Sequence, residues 1–192
     1  MIGLTFLGPF AWLPGASVPC LAEADVGSNA GIYIWTVPTT HGELIYYVGE
    51  TARGFAHRME EHLAEQLSGR YRIYEPNAFL RGEKQLLWRG VYGRGAKPNV
   101  SGFVDQLPSL ATELVRFVRI MRFHVAPTSC TVRSRRRIEA ALAHHLRQQE
   151  GMVGTFQDDD VRYTGRRASE EPITVNLTWQ QKPLGVPELL EA

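Results

Sequence analysis

The sequence predicts an α+β fold, and three observations predict it. Two β-branched and aromatic runs, residues 31–37 (GIYIWTV) and 44–49 (LIYYVG), flank a short polar turn, so they form an antiparallel hairpin. Residues 54–67 place Phe55, Met59, His62, Leu63 and Leu67 at three- and four-residue steps, the signature of a helix with one apolar face. A second helical stretch, residues 132–149, repeats the pattern with Ile138, Leu142, His145 and Leu146. The expected architecture is a small central antiparallel sheet flanked by helices, with an insertion between the first helix and the third core strand.

The elements follow in order. Residues 1–22 are apolar and end near small residues, as a secretory signal would. They lack a leading Lys or Arg and are interrupted by Pro9, Pro14 and Pro19, so they read as a first strand and loop packed on the domain. The turn over 38–43 (PTTHGE) pivots on Gly42, and Gly69 stops the first helix. Residues 69–112, rich in Gly, Pro and aromatics, read as the insertion. Short strands are expected over 71–74 and 86–92, and helix around 109–116. The alternation over 117–125 (FVRIMRFHV) predicts the third central strand, which Pro127 ends. Gly151 ends the second main helix, and residues 173–179 (ITVNLTW) predict a further strand before a Pro-interrupted tail. The whole chain is then one domain: an N-terminal extension over 1–30, the insertion over 69–112, and a C-terminal strand and tail over 150–192.

At 192 residues the chain can bury a sizeable core. No apolar run reaches the roughly 20 residues that span a bilayer, so an intracellular, cytoplasmic protein without a membrane partner is expected. Cys20 and Cys130 read as two buried free thiols in a reducing compartment, too few for a disulfide scaffold and without histidines spaced for zinc. The formal net charge is +1, which by itself carries no message about partners. Its distribution does. Of 21 basic residues 18 are Arg, and between residues 114 and 147 eight Arg face a single acid, Glu139. Arg binds phosphate bidentately, which suits nucleic acid, although GC-rich coding produces the same bias.

Five side chains stand out: Tyr33 and Tyr47 on the hairpin, Arg58 and His62 four residues apart on the first helix, and Glu139 within RRRIEAAL on the second. Singly, each has an ordinary explanation. The tyrosines fit β propensity, Arg58 a surface pair with Glu61, His62 a packed helix position, and Glu139 a solvated helix charge. Together, in this order and on these element types, Gly31-Ile32-Tyr33 and Tyr47-Val48-Gly49 resemble the two halves of the GIY-YIG nuclease signature. Arg58, His62 and Glu139 resemble that superfamily's helix-borne residues. The resemblance covers residues 31–67 and 114–149. It does not extend to 1–30 or to the insertion.

The resemblance implies a metal-dependent endonuclease that hydrolyses phosphodiester bonds, with DNA the expected substrate. Glu139 would hold one Mg²⁺ or Mn²⁺ ion, Arg58 would clamp a non-bridging phosphoryl oxygen, and Tyr33 would activate water. His62 would take or relay the proton, and Tyr47 would donate a hydrogen bond. Gly31 and Gly49 would allow close approach of substrate. The arginines around Glu139 would keep it ionised. Asn176, the one asparagine after Glu139, is a further candidate at an unusually long spacing. The stretch from Gly49 to Arg58 is long for the motif, which makes Arg53 a rival clamp. Arg133, Arg135, Arg136 and Arg137 are the expected phosphate footprint. Other features are weaker. The adjacent pair His144-His145 points about 100° apart on a helix, so one packed and one exposed ring is expected. Asp158-Asp159-Asp160 reads as a solvated loop. Tyr71, Tyr74, Phe79, Trp88 and Tyr92, interleaved with Arg72, Arg81, Arg89 and Arg94, fit base stacking and core packing equally. Two alternatives remain: a non-catalytic nucleic-acid-binding module on the same scaffold, and an unrelated α+β protein. Convergence of the five side chains in one cleft bears on the first, and pairing of the two strands on the second. Oligomeric state is not legible.

Overall fold

A computed structural model describes residues 1–93 and 97–192. Arg94, one of the arginines interleaved with aromatics, lies outside the described residues. The fold is α+β: a curled six-stranded sheet covered by helices on both faces, beside a two-stranded ribbon. Strands β1 (Ile2–Ala11), β2 (Gly31–Thr39) and β3 (Gly42–Thr51) come first, then helix α1 (Phe55–Leu67). The ribbon strands β4 (Ile73–Tyr74) and β5 (Leu86–Trp88) enclose α2 (Pro76–Leu80) and precede α3 (Val100–Ile120). Strand β6 (Arg122–Pro127), helices α4 (Val132–Arg147) and α5 (Gly151–Phe156), and strands β7 (Thr174–Trp179) and β8 (Leu189–Glu191) complete the chain.

The predicted hairpin is present. Strands β2 and β3 pair antiparallel from Gly31↔Thr51 to Thr39↔Gly42, which leaves a two-residue loop, Thr40-His41. Gly42, at φ +127°, takes the backbone conformation that the loop needs and that other residues rarely adopt. A bulge lies in β3, where Trp35 faces Tyr47 but Thr36 faces Ile45. Tyr46 is the extra residue. Because side chains alternate along a strand, the inserted residue turns Tyr47 onto the face that carries Tyr33 and Trp35.

The sheet corrects the sequence reading in two ways. It runs β3-β2-β6-β1-β7-β8 and is mixed, since β1 pairs parallel with β7 and antiparallel with β6. The expected first strand is present as β1, but it lies inside the sheet, between β6 and β7, rather than in an extension over residues 1–30. The third core strand also begins later than expected. Residues 117–120 belong to α3, whose Phe103, Leu110, Leu114, Phe117 and Val118 form one buried helical stripe. Asn99 caps this helix by accepting a hydrogen bond from the Gly102 N–H at 3.0 Å, and Pro108 is carried inside it. Alternation over 117–120 fits either period, and packing against the sheet decides for helix there, with strand from Arg122.

Two apolar layers sandwich the sheet. Helices α1, α2 and α3 cover the face bearing Tyr33, Trp35, Leu44 and Phe123. Helix α4 covers the other, bearing Ile32, Ile34, Ile45 and Val48, with Ile138, Leu142 and Leu146. Along α1 the buried positions are Phe55, Met59, His62 and Gln66, whereas Leu67 is exposed. A buried polar cluster pins the register near the hairpin loop. The Glu43 carboxylate accepts from the Thr36 hydroxyl at 2.6 Å and from Arg122 of β6 at 2.6 Å. Cys20 is buried and Cys130 half-buried, and both are free thiols. Among the described residues no helix is long and apolar enough to cross a membrane.

Candidate active site

The strand β2 alternation points Tyr33 toward α1, where the helical spacing presents Arg58 and His62 to it. The Tyr33 hydroxyl lies 2.8 Å from His62 Nε2 and 3.4 Å from Arg58 Nε. Tyr47, turned inward by the bulge, packs beside Tyr33, with ring centroids 6.0 Å apart. The Tyr33 ring lies flat across Gly49: a Cβ there would sit 2.3 Å from the ring. Gly31 is equally constrained, by the Ala126 carbonyl oxygen at 2.1 Å from a Cβ position. Both glycines thus make room for the protein's own atoms, not for substrate as the sequence suggested.

Glu139 reaches the same place from α4, around the outer edge of β3. The Glu50 backbone N–H, Arg136 and Arg58 all favour its charged form, and its charge in turn acts on Tyr33 and Tyr47. Tyr33, Tyr47, Arg58 and His62 are therefore neighbours, and Glu139 lies within electrostatic range of Tyr33, Tyr47 and Arg58. Two of them titrate differently from expectation. Burial pushes the Glu139 carboxyl up to about 7, aided by the charge of Glu50 and opposed by Arg136 and Arg58. The surrounding arginines do not keep it firmly ionised, because desolvation outweighs them. His62 is only 3 % exposed. Burial, with Arg58 next, takes its pKa down to about 3, so it is a neutral imidazole, not one poised near neutrality. Burial also lifts the Tyr33 phenol to about 12, against the pull of Arg58.

Several contributors were missed. Tyr71, at the start of the insertion, places its hydroxyl 3.0 Å from His62 Nδ1, which completes a chain Tyr33–His62–Tyr71. No local pattern marks it, since the contact joins α1 to the insertion. Glu61 bridges the rival arginines: it pairs with Arg58 at 2.9 Å and, through both oxygens, with Arg53 at 2.5 and 2.6 Å. The spacing of Arg58 and Glu61 signals that pair, and the structure adds Tyr33 as a second partner. Arg53 is more exposed and also contacts His57, so Arg58 is the arginine directed at the tyrosines.

Other candidates fall outside the cluster. Asn176 is exposed on β7, paired with Gly3 and Leu189, and β7 lies three strand spacings from β2, with β1 and β6 between them. At about 4.8 Å per strand that is roughly 14 Å, too far for its side chain to join the site. Arg135 and Arg137 are buried and hold the fold together. Arg135 bonds Glu50 and the Cys130 carbonyl, and Arg137 bonds the carbonyls of Glu171 and Ala192. Arg133 pairs with Glu170 and two further carbonyls. Of the four expected phosphate contacts only Arg136, exposed and 3.4 Å from Glu50, presents its head to solvent. Their places on α4 lie between the sheet edge and the C-terminal segment, which supply these acceptors.

A cleft of about 270 Å³ opens beside the cluster, lined by Tyr47, Arg58 and His62 from the sheet and α1, and by Tyr71, Arg89 and Tyr92 from the insertion. Of the interleaved aromatics, Tyr74, Phe79 and Trp88 are core, whereas Tyr71 is half-buried and Tyr92 exposed at this cleft. Asp158, Asp159 and Asp160 are the one group of three or more possible metal ligands among the described residues, but Arg72 pairs with Asp159 at 2.7 Å and with Asp160. His144 is exposed and His145 half-buried, as expected for adjacent helix positions. No family model, no curated protein and no solved structure matches this chain.

Proposed function

We propose that the protein is a metal-dependent phosphodiester hydrolase of the GIY-YIG type, acting on nucleic acid. The single observation that carries this reading is the grouping of Tyr33, Arg58 and His62 by hydrogen bonds, with Tyr47 packed beside Tyr33 and the half-buried Glu139 carboxyl in electrostatic range, next to a cleft that Tyr47, Arg58 and His62 line. Packing alone does not require this set. A core would favour apolar groups here, and Glu139 forms no ion pair among the described residues. A desolvated carboxylate without a basic partner fits a cation ligand, and a single carboxylate with waters fits the way Mg²⁺ is usually held. Bound by Glu139, Mg²⁺ or Mn²⁺ would supply Lewis-acid neutralisation of charge on the phosphoryl group and the leaving oxygen.

The chain's own residues account for the rest. Arg58 holds a non-bridging oxygen and is already aimed at the reacting end of Tyr33. Water attacks phosphorus and passes a proton to the Tyr33 oxygen, while the Tyr33 proton moves to His62 Nε2. His62 suits this because it is neutral in the resting state. An arriving phosphate partly cancels Arg58, whose charge is the second cause of the low His62 pKa, so the imidazole becomes more basic once substrate is present. Tyr71 holds the other ring nitrogen and fixes the orientation of the imidazole. Cleavage of the phosphorus–oxygen bond then releases an alkoxide that takes a proton from solvent.

The test is incubation with plasmid, single-stranded DNA and structured RNA in Mg²⁺, Mn²⁺ or EDTA. Cutting that needs the metal and is lost in Arg58→Ala and Glu139→Gln supports the reading. Tight binding without cutting under every metal would instead favour a non-catalytic nucleic-acid-binding module.

A further inference from the structure

The geometry points to a substrate in which the nucleotide beside the scissile phosphate is unpaired: the cleft takes one unstacked nucleotide of a single strand or of a distorted duplex. This rests on the hydrolase reading and names its substrate class. Three observations carry it. First, the reacting groups are recessed. His62, which lines the cleft, is 3 % exposed, and Tyr33 behind it is 1 % exposed. A phosphate in a stacked duplex is held on the outside of a wide, stiff cylinder and cannot descend to such recessed groups, so the nucleotide must leave the stack. Second, the cleft has the size of one small ligand. At about 270 Å³ it lies just below the usual range for ligand pockets, roughly 300–1,000 Å³, and it has no room for a helical groove. Third, its wall has the chemistry of a nucleotide. Tyr71 and Tyr92 supply aromatic faces, and Arg58, Arg70, Arg72 and Arg89 supply four positive charges against the two acids of the same lining, Asp158 and Asp160. The Arg70 guanidinium already stands over the Tyr92 ring, 5.1 Å from its centroid, which is the arrangement that accepts a stacked base and a flanking phosphate.

The insertion therefore selects unpaired nucleotides, and Tyr71 links that selection to chemistry. It lines the cleft and also holds His62 at 3.0 Å, so a base seated against it bears on the imidazole that receives the Tyr33 proton.

The test uses the full chain in EDTA, with cleavage blocked. It is titrated with a short DNA carrying one 2-aminopurine, as a single strand, as a perfect duplex, and as a duplex with that nucleotide unpaired; an RNA strand of the same sequence is run alongside. Binding of the unpaired DNA forms or the RNA strand at least about 10-fold tighter than the duplex, with a changed 2-aminopurine emission, is the expected result. Tyr92→Ala and Arg89→Ala, both exposed positions, should weaken single-strand binding about 10-fold while leaving duplex binding within about twofold. Duplex binding as tight as single-strand binding, indifferent to Tyr92→Ala, would overturn the inference. The two readings fail separately. A wild type that cuts duplex as fast as single strand leaves the hydrolase standing and removes the nucleotide cleft. A wild type that cuts nothing in Mg²⁺ or Mn²⁺ but still unstacks 2-aminopurine removes the hydrolase and keeps the cleft.

Discussion

Replacing Glu139 by Gln tests the strained carboxylate without any assay of cleavage. Gln keeps the shape, but it cannot ionise. Burial, reinforced by Glu50, raises the wild-type carboxyl from 4.5 to about 7. Between those values the folded chain holds a proton that the unfolded chain has released. Stability therefore falls as pH rises through the window, and the loss is complete above pH 7. At about 1.4 kcal/mol per pH unit the full loss is about 3 kcal/mol, an upper figure because the side chain is partly exposed. In a chain of this length each kcal/mol moves Tm by about 2–4 °C. Glu139→Gln should therefore melt about 5 °C or more above wild type at pH 8.5, with the difference shrinking toward zero by pH 4.5. The assay is thermal unfolding across that range, with and without millimolar Mg²⁺ or Mn²⁺. Metal should raise the wild-type Tm at pH 8.5 and leave the variant unmoved, since the ion supplies the charge the carboxylate lacks. Equal melting of the two proteins at pH 8.5 would refute the claim that this carboxylate is uncompensated, and an equal response to metal would refute Glu139 as the ligand.

The other predictions concern the groups around it. Arg58→Ala should reduce cleavage about 10²–10³-fold with the fold intact, whereas Arg53→Ala should change it little; single-turnover rates of both variants would decide between the clamps. Gly49→Ala forces the Tyr33 ring off the position it occupies and should destabilise by about 1–3 kcal/mol while depressing cleavage further than Gly3→Ala, which meets nothing within 4 Å; denaturant titration and rates check both halves. His62 and His124, with pKa values lowered to about 3 and 4 by burial, are neutral when folded but take up protons in the unfolded chain as pH falls below 6.5. Stability should thus decline from pH 6.5 toward pH 4, and His124→Phe should soften that decline in an acid-melting series. Glu43→Ala strips Arg122 and Thr36 of their shared acceptor and should cost about 3 kcal/mol in urea unfolding.

Local patterns were enough to read the β2–β3 hairpin, helices α1 and α4, and the strand before the tail, because apolar periodicity within a segment reports its conformation directly. The grouping of Tyr33 with Arg58 and His62 came from the resemblance to a known signature, since no local pattern fixes which strand residue a helix residue will face. The position of β1 between β6 and β7 depends on pairing between residues more than 100 apart, as at Gly3↔Asn176, and no window along the chain contains it. The same remoteness hid the fate of the arginines. Arg135 and Arg137 look like a basic footprint on α4, yet acceptors from β3, the loop before α4 and the C-terminal segment enclose them. Tyr47 reaches the cleft only because Tyr46 bulges, a feature of register between two strands. The shifts of Glu139 and His62 belong wholly to the tertiary structure. Sequence supplies which groups can titrate, but burial sets the cost of charging them, and burial exists only once α1, α4 and the insertion have closed around the sheet.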